Sequence, residues 1–311
     1  MKEKQTSFSM GGQAVLEGVM MNGIHHYAVS VRRADGEIIS QVCEHESLTT
    51  RHKILNWPII RGCIRFAESL SVGMKVLDFS SKIYAEEPEA ETKEVKGWKK
   101  TAGQILNVLS MVLGVVLAVA LFIVLPVFLT RWLLKGVEMR WLVSLVEGLM
   151  RLVIFLVYLL LISRIKDIAR TFEYHGAEHK AVACYEAGEA LTVANARKHS
   201  RLNKRCGTSF IFIIMLFGIL VCMFLPVANP VLRIAYRLLL LPLIAGLSYE
   251  LLKFSARSDS PIVNLLVAPG LLFQRITTRE PDDEELEVAL TSAIKILEAE
   301  GLELPQGGQA E

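Results

Sequence analysis

Residues 105–129 read ILNVLSMVLGVVLAVALFIVLPVFL, twenty-five positions without one charged side chain. About 20 apolar residues are enough to cross the hydrocarbon core of a bilayer as a helix. Lys99, Lys100 and Arg131 bracket the run, as cations at the two interfaces should. Three further runs resemble it. Trp141–Ser163 contains Glu147 and Arg151. Residues 208–228 read TSFIFIIMLFGILVCMFLPVA. Val231–Leu252 carries Arg233 and Arg237 in its first turns and Pro242 in its middle. The pattern predicts a mainly α membrane protein with four transmembrane helices, and a hydrophobic content of 52% with a mean hydropathy of +0.40 agrees.

Outward from these spans, the loops set an orientation. Residues 164–206 hold nine Lys or Arg, against three in the 130–140 loop. The excess of cations places the middle loop and both termini in the cytoplasm, in a multi-pass membrane protein. A net charge of +2, with no basic helix, gives no footprint for nucleic acid. The expected partner is the lipid bilayer, with a homo-oligomer or a membrane-protein partner left open. The opening MKEKQTSFSMGG has no apolar core of the kind a cleavable signal needs. Five scattered cysteines (43, 63, 184, 206 and 222), never spaced C-x-x-C, fit a reducing compartment.

Residues 1–84 read as a small cytoplasmic α+β domain. In YAVSVRRADGEIISQVCE two β-branched, alternating runs flank Asp35-Gly36, which predicts a β-hairpin. Ile60, Ile64, Ala67, Leu70, Met74 and Leu77 then recur at helical spacing, a stripe suited to a core and, as the lesser alternative, to the membrane interface. Residues 85–100 are a charged linker, 101–280 the four-helix transmembrane domain with its loop 164–206, and 281–311 an acidic helix (282–300) and tail. SPIVNLLVAPGLLF, after the fourth span, is too short and proline-interrupted to cross and reads as re-entrant or interfacial.

The loop carries FEYHGAEHKAVACYEAGE, residues 172–189, with the order H-x-x-E-H. On a helix His175 and His179 are i and i+4, so their imidazoles leave one face about 6 Å apart. Two such nitrogens can share a divalent metal, zinc by ligand type, and Glu178 can serve as general base in the inverted-zincin order. A catalytic zinc takes three protein ligands. The third must come from elsewhere in the fold, and Glu17, His199, Cys206, His25 and His26 are the candidates. The alternative is a juxtamembrane helix whose histidines serve as caps and hydrogen-bonding groups.

GGQAVLEGVMMNG at 11–23, YHGAEHKAVACYEAG at 174–188 and SRLNKRCGTSF at 200–210 together resemble the YqhQ-like family of bacterial membrane proteins, a family of unknown function that has carried the label of predicted metal-dependent enzyme. The resemblance covers roughly residues 10–280 and implies residence in the cytoplasmic membrane. Gly11, Gly12, Gln13, Glu17, Gly18 and Asn22 stand where it places them. Within the first motif Glu17 is the one ionisable group, either a partner of the histidine helix or of a local arginine. The basic residues of RKHSRLNKRCGTSF read as topology determinants and headgroup contacts, with an anionic substrate as the sharper alternative.

Glu147 and Arg151 are i and i+4 in the second span, and Arg237 enters the fourth at comparable depth. An unpaired charge at mid-bilayer costs at least about 2.5–3.5 kcal/mol, so these groups should face one another or water. Three readings result: a membrane metal-dependent hydrolase with its site on the cytoplasmic face, a non-enzymatic membrane regulator or scaffold, and a transporter built on Glu147, Arg151 and Arg237.

Overall fold

The computed structural model of the chain describes residues 8, 10–85, 109–204, 206–224, 229–255 and 260–305. The linker expected at 85–100 and the polar tail after 305 therefore lie, almost wholly, outside the described residues, as do the ends of the first and third apolar runs. Among the described residues, four strands form one antiparallel sheet in the order β1 (Gly11–Val15), β2 (Gly18–Asn22), β3 (His26–Arg32) and β4 (Ile38–Glu44). The long helices that follow are α1 (Ile60–Ala85), α2 (Leu109–Leu133), α3 (Arg140–Ile162), α4 (Lys166–Glu186), α5 (Gly207–Phe224), α6 (Pro230–Ser255), α7 (Pro261–Thr277) and α8 (Asp283–Ala299). The chain divides into two compact units, one of Met1–Pro88, Leu161–Ile213 and Ala245–Glu311, the other of Glu89–Leu160 and Ile214–Ile244.

In the first unit the sheet is the middle of three layers. Side chains alternate across a strand, so Val19, Met21 and Ala28 face one side and Val15, Met20, Val29 and Val31 the other. The first face packs on α4, through Tyr174, Ala177 and Ala181, and on α8, through Leu286, Ala289, Ile296 and Leu297. The second face packs on α1 through Val72 and Val76. Burying one such aliphatic side chain stabilises the fold by about 1.5–3 kcal/mol.

The hairpin around Asp35-Gly36 is β3–β4, with Gly36 at φ +91°. A second hairpin, β1–β2, turns at Leu16-Glu17, with Glu17 at φ +49°. The stripe Ile60–Leu77 does lie on a helix, but it is not the packed face of α1. Leu70 and Met74 are more than half exposed, and the buried positions are Gly62, Val72, Gly73, Val76 and Ser80. Small and β-branched residues let the helix approach the sheet more closely than Leu and Met would. SPIVNLLVAPGLLF belongs to α7, a continuous helix with Pro269 inside it.

Among the described residues, four helices are long and apolar enough to cross a membrane, by length and composition: Leu109–Leu133, Trp141–Ile162, Gly207–Phe224 and Ile234–Ser255. In the second unit Glu147 Oε1 and Arg151 Nη2 stand 3.6 Å apart, with Glu147 fully buried. Arg151 Nε also donates to the Phe122 carbonyl at 2.7 Å. That carbonyl lacks its ordinary helical donor because Pro126, four residues on, has no N–H, and α2 widens into a π-turn over Ala120–Val124. Arg237 lies on α6, and its side chain is outside the described residues.

Candidate metal centre

Helix α4 starts at Lys166, well before the H-x-x-E-H stretch, and stops where Gly188 takes φ +72°. Gly176, in mid-helix, leaves room for the Arg279 carbonyl where a side chain would stand. His175 and His179 lie on one face, their rings 4.5 Å apart. Each ring spends Nδ1 on a backbone carbonyl, His175 on Thr277 at 2.8 Å and His179 on Arg201 at 2.5 Å. A carbonyl only accepts, so both Nδ1 atoms carry a proton, and in the neutral rings both Nε2 atoms keep a lone pair. This is the arrangement that orients metal-binding imidazoles. The Thr277 carbonyl is free to accept because it belongs to the last turn of α7, where helical donors run out.

The two Nε2 atoms converge on sulfur. His175 Nε2 is 3.1 Å from Cys206 Sγ, and one ligand atom from each of His175, His179 and Cys206 lies within 4.8 Å of the others. Cys206 stands at the start of α5, where the positive end of the helix meets the sulfur and the Thr208 N–H points to it at 3.4 Å. His179 Nε2 is buried with no hydrogen-bond partner among the described residues. Burial alone would lower the His179 pKa, but the Glu178 carboxylate and Cys206 raise it above its ordinary 6.5. A buried Nε2 without a hydrogen-bond partner, beside a second imidazole and a thiol, fits a divalent metal, and a donor set of two nitrogens and one sulfur suits zinc.

Glu178 Oε2 lies 3.4 Å from His179 Nε2. Glu178, His179 and Cys206 share the wall of a cavity of about 320 Å³ with Gly11, Gly12, Gln13, Asn22 and Asn203. The segment carrying Asn203 and Cys206 is pinned by Gln274 of α7. Its Oε1 accepts from Asn203 N–H at 2.9 Å, and its Nε2 donates to the Asn203 carbonyl at 2.7 Å and to Ser209 Oγ at 2.8 Å. Motif and spacing do not single out Gln274, although a lone glutamine in the apolar run LLVAPGLLFQRIT is a signal that it serves a buried partner.

Of the candidate third ligands, Cys206 is the one brought to the two histidines. Glu17 instead sits in the β1–β2 turn, accepting from Arg170 Nε at 2.5 Å and Tyr174 Oη at 3.2 Å. The Glu17 bond raises the Arg170 pKa above its ordinary value, and burial raises that of Tyr174. The backbone N–H groups of His25 and His26 donate to the Glu300 carboxylate. His199 lies 3.3 Å from Glu189 and forms a separate group with it and Cys184. Among the basic residues of the loop, Arg197, Lys198 and Arg201 reach Asp283, Asn195 and the Thr278 carbonyl.

The fold and site define a mostly helical chain with, among the described residues, four membrane-length helices and a two-histidine, one-cysteine cluster beside the sheet. It belongs to the family described as "Protein of unknown function (DUF1385)", whose model matches residues 57–299. It is similar to "Uncharacterized protein YqhQ" of Bacillus subtilis (strain 168), with 36% identity over 296 residues, covering 94% of this chain and 93% of that protein. No solved structure matches it.

Proposed function

We propose that the chain is an integral membrane protein and a metal-dependent hydrolase, with His175, His179 and Cys206 holding a divalent cation on the cytoplasmic face. The observation that carries this reading is the pairing of two carbonyl-fixed imidazoles and a thiol with an adjoining polar cavity that also holds a carboxylate. A metal bound there would supply Lewis-acid polarisation and lower the pKa of a coordinated water. Glu178 takes a proton from water in the cavity and returns it to the leaving group, the work of a general base and then acid. The backbone carbonyls of Thr277 and Arg201 hold the rings in one tautomer throughout.

The bilayer is the proposed surroundings of the four apolar helices, with both termini and the 164–206 loop on the cytoplasmic side. The described residues of 10–84, 164–204 and 281–305 would then form the cytoplasmic body around the site. Arg151 lines a cavity of about 140 Å³ whose other walls are mostly apolar side chains such as Ile214, Met215 and Leu241.

The test is the metal content of detergent-purified protein by elemental mass spectrometry, wild type beside His175→Ala/His179→Ala. Near-stoichiometric zinc or another transition metal, lost in the folded double variant, is the expected result. Wild type that stays metal-free after incubation with zinc sinks the reading.

A further inference from the structure

We infer that the substrate of this site is an unfolded stretch of polypeptide, bound as an extra strand on the edge of β1 that faces away from β2; the inference rests on the metal-hydrolase reading above. β1 is an outer strand of the sheet, with β2 as its one neighbour among the described residues. The β2–β3 register, continued by the bond from Arg32 N–H to the Glu17 carbonyl, turns the backbone groups of Val19 and Met21 toward β3. The groups of Gly18, Met20 and Asn22 are thereby turned toward β1, where they meet Val15, Gln13 and Gly11. Gly12 and Ala14 consequently direct their N–H and C=O away from β2, along the open edge.

At Gly11 and Gly12 that edge is exposed, and both residues line the cavity that Glu178, His179 and Cys206 line. A side chain at Gly12 would meet Glu178 Cγ at 2.7 Å. The bare backbone at Gly12 thus leaves room for the Glu178 side chain beside this strand. A strand added there would run about 4.8 Å further out, the ordinary spacing of a sheet.

The remaining polar wall has the same chemistry. Gln13, Asn22 and Asn203 offer neutral amides and Ser69 a hydroxyl, and no Lys or Arg is among the described residues lining the cavity. A phosphoester or a lipid headgroup phosphate would find no cation from that wall, whereas a peptide backbone finds donors and acceptors in alternation. The cavity of about 320 Å³ admits a short extended run and not a folded surface. In the reaction water is consumed and the amide C–N bond breaks. The water oxygen bonds to the carbonyl carbon, Glu178 carries a proton to the departing nitrogen, and a carboxylate and an amine result.

The test uses the full chain in detergent, loaded with zinc, and two pools of capped, uncharged octapeptides that differ only by N-methylation of alternate backbone amides. The Glu178→Gln variant should bind the unmethylated pool at least about tenfold more tightly, because methylation removes the strand-pairing donors. The wild type should cut that pool, each product pair together heavier than its parent by one water. Equal binding of both pools, or no binding by zinc-loaded protein, overturns the strand-addition inference and leaves the metal site standing. Hydrolysis of p-nitrophenyl phosphate with no peptide cleavage overturns the substrate class alone. Failure of the wild type to take up zinc overturns the metal-hydrolase reading and this inference with it.

Discussion

Two groups of histidine, cysteine and carboxylate lie along α4 and the segment that follows it, and they differ in what their polar atoms have left to do. In His175, His179 and Cys206, both Nδ1 atoms are occupied by carbonyls, so each ring can offer only Nε2, and that of His179 has no hydrogen-bond partner among the described residues. In Cys184, Glu189 and His199, the thiol and the imidazole each have a hydrogen-bond partner. Cys184 Sγ donates to the Ala190 carbonyl at 3.5 Å, and His199 Nε2 stands 3.3 Å from Glu189 Oε2. Burial, with Glu189 close by, pushes the Cys184 thiol up to about 11, which keeps it protonated at neutral pH. Residue types and separations make both groups eligible for a metal. The first is distinguished by an unsatisfied lone pair and by a cavity at its side.

The comparison breaks most sharply on metal affinity. His175→Ala/His179→Ala should weaken zinc binding more than about 100-fold, since even partners of ligands cost 10–100-fold when removed. Cys184→Ser with His199→Ala should leave zinc stoichiometry unchanged. Competition with a chromophoric chelator measures both, and the opposite result would move the site to the second group. Glu178→Gln should retain zinc and lower hydrolytic turnover by about 10²–10⁴-fold, the range for loss of a general base. Turnover equal to wild type would remove Glu178 from the chemistry. Gln274→Leu tests whether the Cys206 segment is positioned from α7. It removes both Gln274 bonds to the Asn203 backbone, so zinc affinity should fall about 10–100-fold with His175 and His179 intact.

Much of this architecture was legible in the sequence because its signals are local. Long apolar runs mark the membrane-length helices, Asp35-Gly36 marks the β3–β4 turn, and the acidic start of 282–300 marks α8 with its Asp282–Glu285 capping box. The β1–β2 hairpin was hidden because its turn uses Leu16-Glu17. A glutamate at φ +49° is a conformation its residue type does not advertise. The packed face of α1 was hidden too, since periodicity identifies a helix without saying which stripe meets a protein surface. For the site, the spacing of His175 and His179 was readable, while Cys206 could not be told from His199 or Glu17. Deciding among them takes the Gln274 anchor and the Glu17–Arg170 bond, contacts between residues 71 and 153 positions apart.

A buried lone pair without a donor can also be settled by a proton, and Glu285 is the counterexample to His179. Its Oε2 accepts from the Asp282 N–H at 2.9 Å, while its buried Oε1 has no hydrogen bond among the described residues, and Arg170 Nη1 is 4.0 Å away. Burial outweighs that distant charge and pushes the Glu285 carboxyl up to about 7 from an ordinary 4.5. Between those values the folded chain holds a proton that the unfolded chain has released. Stability therefore falls as pH rises from 4.5 toward 7, with a slope approaching about 1.4 kcal/mol per pH unit, and levels off above 7. Glu285→Gln keeps an oxygen for the Asp282 N–H and cannot ionise, so this part of the slope should vanish, leaving the variant relatively more stable at about pH 8 than at about pH 5. Urea midpoints of both proteins in detergent across that range measure it. Parallel pH profiles would mean that Glu285 is ionised in place, and that an orphaned buried oxygen in this fold needs neither a proton nor a metal.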